Sequence, residues 1–143
     1  MSESMLIERL VQIGFPLFRN KKSNIKWATE VRALQNRADL VYFEKNDMAI
    51  GSIFAIEAKL HDWKTAIKQA YRNKLFANKT FVALPEQYAT AAISNIQEFQ
   101  RASVGLVIVK NNSVKIYYNP PINRQRSEKH VKKIHDSLIA FSL

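Results

Sequence analysis

The chain has 143 residues, 47% of them hydrophobic, and carries 22 Lys and Arg against 12 Asp and Glu, a net charge of +10. That length suits one domain spanning residues 1–143, with a core that needs no covalent staple. The absence of cysteine excludes a disulfide framework, a thiol nucleophile and a thiolate zinc site, while the excess positive charge favours a polyanionic partner, most simply nucleic acid.

In chain order, Met5 to Ile13 reads as an amphipathic helix with Leu6, Leu10 and Ile13 on one stripe and Glu8 and Arg9 off it, ended by Gly14 and Pro16. Acids in this opening segment, where a signal peptide would be basic, point to a cytoplasmic protein. Residues 17–24 predict a basic loop, and Ile25 to Ala33 a strand with Ile25, Trp27, Thr29 and Val31 on one side. Ala38 to Glu44 and Ile50 to Leu60 flank a turn at Lys45-Asn46-Asp47 and predict a hairpin. Asp62 is placed to cap a helix running from Trp63 to Ala77, with Trp63, Ala66, Ile67, Ala70 and Tyr71 at three- and four-residue steps.

Thr80 to Leu84 is a short buried strand, Glu86 to Arg101 a helix, and Val104 to Val109 a further buried strand pairing with Val114 to Tyr118 across Asn111-Asn112. A basic extension, residues 120–143, ends in a helix near Glu128 to Phe141. No apolar run approaches the roughly 20 residues of a membrane span. Antiparallel strands first, then a strand reached by a helical crossover, give an α/β protein with a mixed central sheet flanked by helices.

Alternation on the second hairpin strand puts Ser52, Phe54, Ile56, Ala58 and Leu60 on one face and Ile53, Ala55, Glu57 and Lys59 on the other. Counted outward from the turn, Asp39 and Glu57 fall at about the same height, where neighbouring Cβ atoms are about 5 Å apart. Two carboxylates so close repel unless a hard divalent cation takes oxygens from both, with the main-chain carbonyl of Ala58 as a further ligand. Lys59, on the same side, is placed to orient a water or offset phosphate charge. The spacing alone fits a cross-strand salt bridge equally well. The second acid-x-Lys triplet, Asp62-Trp63-Lys64, lies at a helix start and is assigned to capping.

Basic residues flank this stretch. From Lys59 to Lys79 lie Lys59, Lys64, Lys68, Arg72, Lys74 and Lys79 against Asp62, and from Arg124 to Lys133 lie Arg124, Arg126, Lys129, Lys132 and Lys133 against Glu128. Lys64, Lys68, Arg72, Lys74, Arg124 and Arg126 are the candidate phosphate-backbone contacts.

The run RADLVYFEKNDMAIGSIFAIEAKLHDWKTAIKQA resembles the core of the PD-(D/E)XK nuclease superfamily, which includes restriction endonucleases, Holliday junction resolvases and RecB-type nucleases. The resemblance spans about residues 2–110 and implies a restriction endonuclease-like αβββαβ core with a Mg²⁺ (or Mn²⁺) site. Asp39, Glu57 and Lys59 match its Asp and acid-x-Lys positions, although Ala38 stands where the family commonly has Pro. It further implies a third acid on the first helix, for which Glu8 is in place and Glu30 competes. It also implies a Gln on the helix after the Lys strand, which Gln69 resembles; Tyr71 follows it too closely for the RecB-type spacing.

The function so implied is metal-dependent hydrolysis of phosphodiester bonds, with DNA favoured over RNA as the substrate and the choice between them left open. A homodimer or a partner protein would supply specificity. The alternative is a nucleic-acid-binding module on the same fold that does not cut. His61, His130 and His135 have no metal-ligand spacing, Trp27 and Trp63 read as core anchors, Tyr117 and Tyr118 as strand packing, and the three glycines build no phosphate-cradling loop.

Overall fold

The computed structural model describes residues 1–18 and 24–141. Six strands form one mixed sheet in chain order: β1 (Ile25–Ala33), β2 (Asn36–Asn46), β3 (Ala49–Ala58), β4 (Lys79–Pro85), β5 (Gly105–Val109) and β6 (Val114–Tyr118). The pairs β1–β2, β2–β3 and β5–β6 are antiparallel; β3–β4 and β4–β5 are parallel. Parallel neighbours need crossovers. Helix α2 (Trp63–Asn73) makes the first, and α3 (Thr90–Ser94) with α4 (Ile96–Ala102) makes the second. Helices α1 (Glu3–Ile13) and α5 (Glu128–Phe141) open and close the described chain. The fold is thus a mixed α/β sheet flanked by helices, in the element order expected.

Both faces are covered. Helix α1 lays Leu6 and Leu10 on Leu40, Tyr42, Ile56 and Ala58, with Phe15 against Phe81. Across the sheet, α5 packs Ile134 and Leu138 on Ala28, Val31, Val41, Phe43, Ile53 and Ala55. Beside it, α2 and α4 pack Trp63, Ala66, Ala70 and Phe99 on Val82, Leu84 and Leu106. Sealing both faces keeps water from the strand interiors, so a charged group placed there is desolvated. No helix is long and apolar enough to cross a membrane.

The ends of these elements follow local chemistry. Helix α1 begins two residues earlier than its stripe predicts, because the Ser2 hydroxyl accepts from the Met5 amide at 3.1 Å. Gly14 closes it at φ 93°, its N–H donating to Leu10 O at 2.9 Å. Asp62 Oδ1 caps α2 by accepting from Thr65 N at 3.2 Å. That helix stops at Asn73 rather than Ala77, and residues 74–77 continue in tight turns. The single helix expected over 86–101 is three pieces, a 3₁₀ turn (Glu86–Tyr88), α3 and α4. They are broken at Asn95, whose side-chain amide donates to Ala91 O at 2.8 Å and competes with the helical ladder. In the expected loop 17–24, residues 19–23 lie outside the described set, and Pro16–Phe18 form a 3₁₀ turn.

Strand alternation fails at two places. In the β2–β3 ladder Lys45 faces Ile50 but Phe43 faces Ile53, so Gly51 and Ser52 together oppose Glu44. This bulge is fixed by the Glu44 carboxylate, which accepts from Ser52 N at 3.1 Å. A Cβ on Gly51 would lie 3.1 Å from Glu44 Cβ. In the β1–β2 ladder the pairs Thr29–Leu40 and Val31–Ala38 bracket Glu30 and Asp39, which form no ladder pair. Glu30 there adopts φ 51°. Beyond that kink the buried positions of β1 change parity, from Ala28 to Val31 and Ala33. Trp27 is consequently not the core anchor that simple alternation predicts: it is 50% exposed, whereas Trp63 is buried against Phe99.

Candidate functional site

The bulge at Glu44 decides which carboxylates meet. Continued without it, the register at the turn would set Asp39 opposite Ile56 and leave Glu57 on the other face of the sheet. With it, Leu40 pairs Ile56, and the next residues outward are Asp39 and Glu57. Their carboxyl groups are close enough for Asp39 to act directly on the Glu57 carboxyl. Asp39 Oδ2 also accepts from the Ala58 amide at 3.0 Å. Glu57 is buried, and Asn73 at the end of α2 donates its side-chain amide to Glu57 Oε1 at 2.7 Å. Burial first, and then the charge of Asp39, push the Glu57 carboxyl up to about 8, against the opposing pull of Asn73 and Lys59.

These groups open into a polar cleft of about 300 Å³ lined by Asp39, Glu57, Lys59 and Gln69, with Asn36, Arg37, Arg72 and Asn73 around them. Lys59 leaves β3 at the strand's end, its backbone amide donating to Ala83 O at 3.1 Å. Gln69 presents a side-chain oxygen that is buried and has no hydrogen-bond partner. Asn36 Nδ2 donates to Arg72 O at 2.9 Å, tying the β1–β2 connection to the end of α2 across the cleft.

The structure brings Asp39, Glu57, Lys59, Gln69 and Arg72 together and leaves both candidate third acids aside. Glu8 is exposed and does not line the cleft; the acid that α1 contributes is Glu3. Helical spacing explains it: Glu3 lies three residues before Leu6, on the stripe that meets the sheet, whereas Glu8 lies off that stripe. Glu30 is turned to an exposed ion pair with Arg37 at 4.0 Å. Asn73 gave no signal of its own, but it stands four residues after Gln69 and so on the same helix face.

The six basic candidates are dispersed. Arg72 lines the cleft, while Lys64 and Lys68 line a groove with Trp63, Glu98 and Arg101 between α2 and α4. Lys74 Nζ donates to Ala102 O at 3.1 Å, and Arg126 Nη1 to Phe76 O at 3.3 Å. Arg124 and Arg126 line a hollow against α5. The histidines lie apart from the carboxylates: His61 packs on Tyr88, His130 Nδ1 meets Ser127 Oγ at 2.8 Å, and His135 is held below the usual histidine range by burial and Arg126. Tyr118 packs on the core beneath α4; Tyr117 is exposed.

Among the described residues no three of His, Asp and Glu converge as a metal-binding group. The donors present, two adjoining carboxylates and an orphaned amide oxygen on Gln69, are nonetheless hard oxygens of the kind that suits Mg²⁺. Such an ion would replace the proton that buried Glu57 otherwise holds beside Asp39.

No protein-family model matches the chain, and no curated protein matches it. A solved structure, a protein of unknown function from Silicibacter pomeroyi, is similar with a TM-score of 0.65 at 18% identity, covering 99% of this chain and 87% of that one. The likeness extends over the whole fold and concerns the fold alone.

Proposed function

We propose that the protein is a metal-dependent nuclease of the PD-(D/E)XK type, hydrolysing phosphodiester bonds in DNA, with its active site in the cleft between β2, β3 and α2. The observation that carries the reading is the pairing of Asp39 with buried Glu57 beside Lys59, in a cleft on a strongly basic chain. A second carboxyl beside a desolvated one disfavours the charged form of the buried partner, and a cation taken up between them removes that cost.

Asp39 and Glu57 would hold Mg²⁺ or Mn²⁺, with the Ala58 carbonyl nearby. When bound, the ion supplies charge stabilisation to phosphate oxygens and acidifies a water. The chain's own groups do the rest. Asn73 fixes the orientation of the Glu57 carboxyl, and the Ala58 amide fixes that of Asp39. Lys59 places a cation beside them, where negative charge on phosphorus grows. Gln69 offers its free oxygen as an acceptor that orients a water, and Arg37 and Arg72 offer phosphate contacts at the cleft walls.

The test is a cleavage assay on single-stranded, duplex, branched and RNA substrates with Mg²⁺ or Mn²⁺. Lys59→Ala is expected to lower the rate by about 10²–10³-fold, as for loss of one preorganised transition-state contact. Asp39→Asn is expected to remove both cleavage and the metal-induced rise in Tm. Full activity in both variants overturns the assignment. Salt-sensitive DNA binding by the wild type, with no cleavage under any metal, would select the non-cleaving module instead.

A further inference from the structure

Next to the carboxylate cleft is a second hollow, also about 300 Å³, walled by Tyr71, Arg72, Lys74, Leu75, Asn123 and Gln125. We propose that it is a subsite for one unpaired base of a single-stranded nucleic acid, whose phosphate passes Arg72 into the cleft. The inference rests on the nuclease reading for its direction and names the substrate class: strands or strand ends with unpaired bases.

Arg72 joins the two hollows, lining both. On one side of it stand Asp39 and Glu57; on the other stands Tyr71, an aromatic ring 56% exposed on a helix whose opposite face is packed into the core. Such a ring beside Arg72 and Lys74 matches the way single-stranded nucleic acid is bound, with bases stacked on aromatics and phosphates on Lys or Arg. Lys74 Nζ sits over one face of the Tyr71 ring, 5.0 Å from its centroid, and is tethered to Ala102 O, so that face carries a fixed positive charge and a base would stack on the other.

The far wall is rigid. Asn123 Nδ2 donates to Lys74 O at 2.6 Å and to Ala77 O at 3.2 Å, and Asn123 Oδ1 accepts from Gln125 N at 3.1 Å. That clamp holds Gln125 over the hollow with an exposed side-chain amide, which carries both a donor and an acceptor for a base edge. A duplex keeps its bases stacked inside and presents none to Tyr71. The complementarity is therefore to an unpaired nucleotide.

The test is binding of fluorescent oligo-dT and of a duplex of equal length, followed by anisotropy in EDTA, where no cleavage occurs. Tyr71→Ala is expected to weaken oligo-dT binding by about 5- to 150-fold, the range for loss of one stacked base. Tyr71→Phe should retain it, and duplex binding should be unchanged in both. With Mg²⁺, Tyr71→Ala should raise KM on single strands and leave kcat unchanged. Unaltered oligo-dT affinity in Tyr71→Ala, an equal loss for single strand and duplex, or no binding of oligo-dT by the wild type each overturns the subsite. Tyr71-dependent binding without any cleavage supports the subsite and rejects the nuclease assignment alone.

Discussion

Glu57 is the residue whose chemistry the fold alters most, and its consequence is a pH dependence of unusual sign. In the unfolded chain its carboxyl titrates in the ordinary glutamate range; in the folded, metal-free protein burial and Asp39 push it up to about 8. Between those values the folded state binds more protons than the unfolded, so stability falls as pH rises. The contribution is complete below about pH 4.5 and lost through about pH 8. Glu57→Gln, a neutral isostere that can still accept from Asn73, is expected to melt several degrees above wild type at pH 8–9 in EDTA. At pH 5, thermal denaturation should no longer separate the two. Mg²⁺ should reverse the wild-type trend, because protons compete for the same oxygens: its stabilisation should be small at pH 5 and grow toward pH 8. A wild-type Tm that rises from pH 5 to pH 8 in EDTA would contradict the raised carboxyl.

At the scale of elements, two small devices position the site: the Gly51-Ser52 bulge that turns Asp39 and Glu57 to one face, and the kink at Glu30 and Asp39 that interrupts the β1–β2 ladder. The parallel half of the sheet depends instead on close approach. Gly105 on β5 lies under the Phe81 ring, into which a Cβ would project, and that same Cβ would lie 2.8 Å from Pro120 Cδ. Phe81 is locked between Phe15 and Phe54, so the ring has no free direction in which to move. Gly105→Ala is therefore expected to destabilise the fold by about 1–3 kcal/mol, read as a lower urea midpoint at unchanged slope.

What the sequence disclosed follows the same division. Element order, the Asp62 cap and the approach of Asp39 and Glu57 on neighbouring strands rest on period and spacing and were legible. The bulge was not, because it is fixed by a Glu44 side chain reaching back to Ser52 N, and alternation carries no trace of that contact. Trp27 was misplaced for a related reason, since a single residue with positive φ shifts parity along the rest of β1. Glu3 was legible in principle, on the Leu6–Leu10 stripe, but a polar residue on an apolar stripe is read as its end rather than as its purpose.

For the whole molecule the question is how a net charge of +10 is used, given that its basic residues are spread over several surfaces. Charge alone attracts a polyanion from any direction, yet only contacts made in the bound state release counterions. Arg72 sits where the cleft meets the Tyr71 hollow, so a strand occupying both places a phosphate against it. Lys115 is exposed on β6, the opposite edge of the sheet from β1 and three strands from Glu57, roughly 14 Å at the usual strand spacing. Both substitutions to Gln remove one charge and lower the long-range attraction equally. They should differ in the slope of log Kobs against log salt: Arg72→Gln is expected to reduce its magnitude by about 0.7, the value for one phosphate contact on a single strand, and Lys115→Gln to leave it unchanged. Titrations of oligo-dT from low to moderate salt measure both slopes. Equal slopes in the two variants would mean that the strand does not run past Arg72 and that the charge acts only at a distance.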